Sequence, residues 1–510
     1  MQTTAPPGVG CSVSLCENSG MVETVYAPRR SSSSMNHVRG LDRWQTLLFP
    51  ERLEDYIAAE NPVRFLDAFV ARLDLHALGF ARAHPETTGR PPYDPGDLLR
   101  LYLYGYLHRL RSSRRLEAET HRNVELLWLL GQLHPDFKTI ADFRKDNLGP
   151  LKRVCRQFVL LCRQLELFGG ELLAIDGSKF KALNSREANF NEKKLEQRLG
   201  EIEAQIEGYV QQLEANDAQE AHTPPAPSRE QLQEKIAALQ QRQEDYEGLK
   251  GELESSGEKQ LSTTDADARL MHTRQGAQMS YNAQVAVDAK HKLIAADDVT
   301  NEVTDVGQLA NVALGAKDNL QIQSAEVLAD TGYYNAGEVS RCVEAGLTPY
   351  VPKADTSANT ARGLYGKSRF RYDETRDVYV CPAGEELSYR FETYELGRAI
   401  RYYRASGCKS CPLRKQCTRN RANRTITREE NESLMEAMAQ RVKAQPQKMK
   451  LRKQLCEHPF RTIKRELGYD HFLLKGLEKV RAEWSLITLT YNLKRVLNLV
   501  SFETLMAAVS

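Results

Sequence analysis

Apolar residues recur along this chain with two different periods, and the change from one to the other divides it. After Pro95-Gly96, the positions Leu98, Leu99, Tyr102, Leu103, Tyr106 and Leu110 follow the spacing of a helix with one buried face. The same spacing predicts helices over 114–130, 140–147 and 151–167, so residues 41–169 read as an all-helical unit. Beyond Gly169-Gly170 the apolar residues run together as Leu172-Leu173-Ala174-Ile175 and then meet Asp176-Gly177. A short apolar run bounded by turn residues predicts a buried strand. Ala325-Glu326-Val327-Leu328-Ala329 has the same grammar and closes on Asp330-Thr331-Gly332-Tyr333. The glycine after each acid predicts that the chain turns away there. Residues 281–288 and 293–299 read as an antiparallel pair, turned at His291-Lys292. Asp305 is placed to cap a helix running through Leu314 to Leu320, and a helix at 336–345 and a strand at 347–351 follow.

Three leading strands followed by alternation predict an α/β fold, a mixed sheet flanked by helices. Residues 184–265 interrupt it. Leu195, Ile202, Ile206, Val210 and Leu213 make one amphipathic stripe; Leu232, Ile236, Leu239 and Leu249 make another, with a proline-rich break at 222–228 between them. That pattern predicts a helical-hairpin insertion. A surface role is its plainer reading, with dimerisation or DNA contact as the alternatives. Residues 354–430, rich in Gly, Ser, Arg and aromatic side chains, form a Cys-containing insertion. Residues 170–353 and 431–510 are left for the α/β domain, ending in a helix near 473–499 with Trp484, Leu486, Leu489 and Tyr491 buried. Residues 1–40 lack periodicity and carry Arg29-Arg30 before four serines, which reads as a disordered leader with Met21 or Met35 as alternative starts.

Composition changes this picture only slightly. Among 510 residues, Lys+Arg 70 against Asp+Glu 68 leaves a net charge of +2, so any nucleic-acid contact must rest on local clusters. No apolar run is long enough to span a bilayer, and the start lacks a signal-peptide core. Ten cysteines in so long a chain read as free thiols or metal ligands rather than a secreted disulfide scaffold, and the chain reads as cytoplasmic.

Chemistry concentrates in four places. Two carboxylates at the ends of neighbouring strands, Asp176 and Asp330, would meet in space and offer oxygen ligands to a hard divalent cation. Cys381, Cys408, Cys411 and Cys417 suit a structural tetrahedral zinc, with reduced free thiols as the alternative. Arg414, Lys415, Arg419, Arg421 and Arg424 follow as a basic cluster. In the helical unit, Arg109, Arg111, Arg114, Arg115, Arg122, Arg144 and Lys145 read as exposed, either a helix-turn-helix-like DNA-binding face or a solvated one. Near the C-terminus, Lys448, Lys450, Arg452 and Lys453 precede Cys456-Glu457-His458-Pro459-Phe460. Pro459 places Glu457 at a kink or helix start. Phe460, Ile463 and Leu467 face inward, leaving Arg461, Lys464 and Arg465 for solvent or phosphate. On its own, Glu457 reads as a solvated side chain.

The Ile175-Asp176-Gly177 stretch, the Ala329-Asp330-Thr331-Gly332-Tyr333 turn and Glu457-His458-Pro459-Phe460 with Lys464 give the chain, over about 41–499, a resemblance to DDE-type transposases of bacterial insertion sequences. The family pattern around its third acid has a Tyr, an Arg, the Glu and a Lys. Here Lys464 holds the Lys place, Lys453 the Arg place and Lys450 the Tyr place, with Arg452 as an alternative arginine. The resemblance implies a ribonuclease H-like catalytic domain behind the helical DNA-binding domain. It also implies Asp176, Asp330 and Glu457 as catalytic ligands of two Mg²⁺ ions (Mn²⁺ able to substitute) roughly 3.5–4 Å apart. Arg452, Lys453, Arg461, Lys464 and Arg465 are the implied DNA contacts. The implied activity is cleavage at transposon ends and strand transfer into target DNA. The implied partners are double-stranded DNA, as terminal inverted repeats and target, and further copies of the chain in a homodimer or larger assembly; no membrane is implied. The alternatives are a metal-dependent nuclease that never joins strands, and a DNA-binding regulator whose acids are vestigial.

Overall fold

Short polar side chains mark where the first helices begin. The computed structural model describes residues 52–84, 91–185, 187–218, 227–273, 276–353, 358–395, 398–420 and 422–510. The expected leader at 1–40 therefore lies outside the described residues, as do Arg421 and most of the proline-rich break. All of them but Arg52 fall in one unit, Leu53–Ser510. Asn61 caps α1 (Pro62–Ala71) and Asp94 caps α2 (Pro95–Leu107), each accepting a bond from a free amide of the first turn. The helix expected over 114–130 is two, α3 (Ser113–Thr120) and α4 (Val124–Leu129), because the Asn123 side chain accepts from Glu125 and Leu126 and starts a new helix. α5 (Phe137–Asp146), capped by Asp136, and α6 (Leu148–Gln164) complete this part. Its arginines are not all exposed. Arg111 and Arg144 are buried. Arg111 pairs with the fully buried Glu483 at 3.3 Å, and Arg144 reaches the Tyr106 hydroxyl.

β1 (Leu172–Lys181) sits in the middle of a mixed sheet. The strand does not end at Asp176 as expected; it runs on through Gly177, paired residue by residue with β5 from Leu173 opposite Asp288 to Lys181 opposite Ser280. After it, β2 (Asn189–Phe190), the helices α7 (Glu192–Ala218) and α8 (Arg229–Ser256), and β3 (Leu261–Ser262) follow. α7 and α8 pack on each other, and Ser228 with Gln231 forms a capping box at the start of α8. β4 (Arg269–Thr273) and β6 (Ile294–Thr300) both pair with β5 (Gly276–Asp288), antiparallel. α9 (Leu309–Leu320) leads to β7 (Ala325–Leu328), parallel to β1, and α10 (Ala336–Glu344) leads to β8 (Leu347–Tyr350), parallel to β7. The side chains of β1 alternate between two cores: Leu173 and Ile175 pack with α9 and α10, and Ala174 packs with the C-terminal helices.

The cysteine-bearing stretch holds α11 (Ala358–Ala361) and a second, antiparallel sheet with its own small core. Its strands are β9 (Arg371–Asp373), β10 (Val378–Val380), β11 (Glu386–Glu395), β12 (Arg398–Ala405) and β13 (Thr425–Glu429), with α12 (Arg414–Cys417) before the last. α13 (Glu432–Ala444) and α14 (Pro446–Arg461) then return the chain to the first sheet, where α14 packs on β1. α14 continues through Pro459, so no helix starts there. The bond that the missing proline N–H would have made is forfeited, and the chain passes directly into a π-helical turn at Thr462–Glu466. α15 (Leu477–Leu499) is buried along most of its length, with Trp484 against Phe180, and α16 (Phe502–Val509) closes the chain. No helix among the described residues is long and apolar enough to cross a membrane.

Candidate active site

Strand alternation puts the Asp176 side chain on the face of β1 that α14 covers. Asp330 follows β7 directly and caps the short turn Thr331–Tyr333, accepting from Gly332 N at 2.8 Å. Because β1 and β7 are parallel neighbours, the two carboxylates come together. One nitrogen, Nη2 of Arg452 on α14, lies 3.0 Å from Asp176 Oδ1 and 3.3 Å from Asp330 Oδ2. Burial pushes the Asp176 carboxyl up, and the Asp330 charge adds to this against the pull of Arg452. Arg452 is itself mostly buried; burial alone would push it down, and the two carboxylates hold it above its ordinary value. Its Nε is buried with no hydrogen-bond partner.

Gly177 is needed here for space. A Cβ at this position would collide with the Gln284 amide and stand 2.7 Å from Asp305 Oδ1 and 3.0 Å from Asn282 Oδ1. Asp305 is a residue whose place the sequence did not disclose. It caps no helix, since the cap position of α9 is Gln308 and no side chain caps it. Its Oδ1 instead accepts from Asn282 Nδ2 at 2.7 Å, Gln284 Nε2 at 2.9 Å and Lys179 Nζ at 3.3 Å. The available signal was on β5, where Asn282 and Gln284 are polar side chains in a strand buried on both faces.

Glu457 does not join the pair. It lies one residue beyond Cys456, a buried thiol that senses both Asp176 and Asp330, yet its own carboxylate is exposed, with Lys453 Nζ 3.7 Å away. Among the described residues no group of three or more His, Cys, Asp or Glu is arranged to hold a metal ion. Of the expected DNA contacts, Lys453, Arg461 and Arg465 are exposed and Arg452 faces the acids. Lys464 is not left for phosphate: its ammonium turns inward to Ser178 Oγ at 2.7 Å and the Lys179 carbonyl at 2.8 Å, over the Phe180 ring. The π-helical turn re-aims it toward β1.

Cys381, Cys408, Cys411 and Cys417 line one small cavity without closing into a ligand cage. Burial pushes the Cys417 thiol up and the other three thiols reinforce this, with Arg424 opposing. Arg424 is buried over Phe370, and Arg414 donates to the carbonyls of Cys408 and Asn420, so these two arginines of the basic cluster brace the loop. Lys415 and Arg419 are exposed.

Comparison with known proteins adds the family. The family model described as a transposase DDE domain matches residues 380–497, and the transposase domain DUF772 matches residues 51–146. Glu457 lies inside the first segment; Asp176 and Asp330 lie outside both. No curated protein matches. Among solved structures, the piggyBac transposase synaptic complex with hairpin DNA aligns at 9% identity and a TM-score of 0.30, covering 88% of this chain and 79% of that one, a likeness too slight to carry any argument. The two matches, which together span less than half of the chain, support a likeness to DDE-type insertion-sequence transposases.

Proposed function

We propose that the chain cuts DNA at transposon ends and transfers the freed strands into target DNA, using Mg²⁺ held at Asp176 and Asp330. The observation that carries this is the single guanidinium shared by Asp176 within β1 and Asp330 just beyond the parallel strand β7. A half-buried carboxylate pair with one arginine for cover is short of positive charge, and its donors are hard oxygens, so the residues fit a divalent cation. Such an ion supplies activation of a water or 3′-hydroxyl and neutralises charge at the leaving oxygen. Glu457 completes the set by leaving Lys453 and turning from the adjoining face of α14. Arg452, Lys453, Arg461 and Arg465 then orient the phosphodiester, and Lys464 braces the helix on β1.

The sheet order β6-β5-β1-β7-β8, antiparallel across the first three strands and parallel across the rest, supports a ribonuclease H-like domain at 170–353 and 431–510. In this reading 41–169 binds DNA through Arg109, Arg114, Arg115, Arg122 and Lys145, while 184–265 and 354–430 are insertions. The latter is tied by zinc on its four cysteines. The enzyme works in the bacterial cytoplasm on the nucleoid, as a dimer or larger assembly on terminal repeats.

The test mixes purified protein, Mg²⁺, a labelled element end and a target plasmid. Joined product is expected, and Asp330→Ala should abolish it while DNA retention stays nearly intact, since retention rests on phosphate contacts. Cleavage without joining would make the protein a nuclease, and undiminished turnover by Asp330→Ala would remove the acid pair from the chemistry.

A further inference from the structure

Resting on the acid-pair reading, we infer that Asp305 is a positioning residue that keeps the Lys179 ammonium out of the cation site formed by Asp176 and Asp330. Asp305 lies beside Gly177, which follows Asp176 within β1, and beside Gly332 in the turn that Asp330 caps. Its Oδ1 lies 2.7 Å from where a Cβ on Gly177 would be, and its Oδ2 lies 3.6 Å from the equivalent point on Gly332, itself 3.0 Å from Asp330 Oδ1. Asn282 and Gln284, both fully buried, point their amides at Oδ1, and the Tyr333 hydroxyl from the Asp330 turn locks Gln284 in place. Asp305 is therefore fixed before any ligand arrives.

Lys179 is the member with the longer side chain. It stands three residues after Asp176 on β1, and Asp305 is its ion-pair partner at 3.3 Å. Its ammonium also lies in the field of Asp176 and Asp330, which pull in the same direction as Asp305. A lysine stem is long and flexible, and its charge is a compact point. Without Asp305 the nearest negative charges left to Lys179 are the two aspartates. An ammonium there neutralises the carboxylates that a divalent ion needs, and the two cations exclude each other. Asn282 Oδ1 is buried without a partner and would stand 3.0 Å from a Cβ on Gly177, so this corner has little spare space beside Asp305.

The experiment uses the full chain and Mn²⁺ as the probe, with free Mn²⁺ followed by electron paramagnetic resonance. Asp305→Ala should weaken Mn²⁺ binding at least tenfold, and adding Lys179→Met in the same chain should restore affinity to within about threefold. Removing one more residue repairs only a charge competition; it does not repair a damaged loop. An Asp305→Ala chain that stays folded by circular dichroism and binds Mn²⁺ within twofold of the natural chain overturns the inference, as does a double variant as weak as the single. Should the alanine variant unfold, Asp305→Asn, which keeps an acceptor for Asn282 and Gln284, is read by the same two criteria. Asp176→Asn separates the two readings: undiminished Mn²⁺ binding there sinks the acid-pair site itself, whereas loss there with no effect at 305 sinks only this inference.

Discussion

Replacing Glu483 by glutamine tests how the helical N-terminal part is fastened to the rest. Glu483 is fully buried on α15. Its carboxylate receives Arg111 at 3.3 Å and the backbone amides of Leu473 and Leu474 at 3.0 Å, and it lies in the field of Arg144. Burial pushes this carboxyl up, with Arg144 and then Arg111 pulling against it. Glutamine keeps the shape and one acceptor oxygen but leaves two buried guanidinium groups without an anion. Removing one partner of a buried pair costs about 3–5 kcal/mol. A folded chain has about 5–15 kcal/mol in hand, so the loss is a large fraction of the whole. Arg111→Met should cost less, because Arg144 and both amides still serve Glu483. Denaturant unfolding followed by circular dichroism, on the two single variants and the double, gives the coupling directly. A Glu483→Gln chain within about 1 kcal/mol of the natural one, the range of an exposed pair, would refute the claim that this buried charge holds the two parts together.

Gly177→Ala should lose about 1–3 kcal/mol by overpacking, because its Cβ meets the Gln284 amide and Asp305, and end cleavage should fall with it; an alanine chain of natural stability and rate would show that β1 can shift. Asp297 on β6, bonded by the Ser485 hydroxyl at 3.0 Å, has its carboxyl pushed up to about 6 by burial, with Lys152 opposing. A raised carboxyl favours the folded state while protonated, so that stability is full below about pH 4 and is lost as pH rises through about 6. The stability difference between the natural chain and Asp297→Asn should therefore move in the variant's favour between pH 4 and pH 7, by about 1–3 kcal/mol at most; a pH-independent difference in denaturant midpoints would show that Asp297 stays ionised. Protein purified without chelator should carry about one zinc per chain by metal analysis, and Cys408→Ser should lose it; a metal-free natural chain leaves the four thiols reduced and unligated.

The parts of this molecule that are legible in sequence are those fixed by neighbours along the chain. An apolar run ending in Asp and Gly announced β1 and β7, since burial on both faces demands continuous apolar residues whatever else the sheet contains. Alternation over 281–288 and the His291-Lys292 turn announced β5 and β6 as an antiparallel pair. Arg111 and Arg144 looked exposed because arginine usually is, and their partner Glu483 lies far along the chain. Asp305 looked like a cap because Asp before a helix usually is one, whereas its three donors come from β1 and β5. The gain from a buried charge depends on a partner that no local window contains.

The C-terminal helix shows the same limit at the scale of one residue. Successive side chains on a helix are rotated by about 100°. Arg452 and Cys456, four apart, therefore share the face that meets Asp176 and Asp330, while Lys453 and Glu457 share the next one and pair in solvent. Spacing counted along the sequence gave the arginine's place to Lys453; phase around the axis gives the acids to Arg452. That phase is set by the residues which seat α14, namely Leu455, Pro459 and Phe460 on the inner side. Because α14 is continuous from Pro446 to Arg461, a rotation of the helix that carried Glu457 toward the strands would also change how Arg452 meets Asp176 and Asp330, whereas a rotation of the Glu457 side chain alone would leave that guanidinium in place.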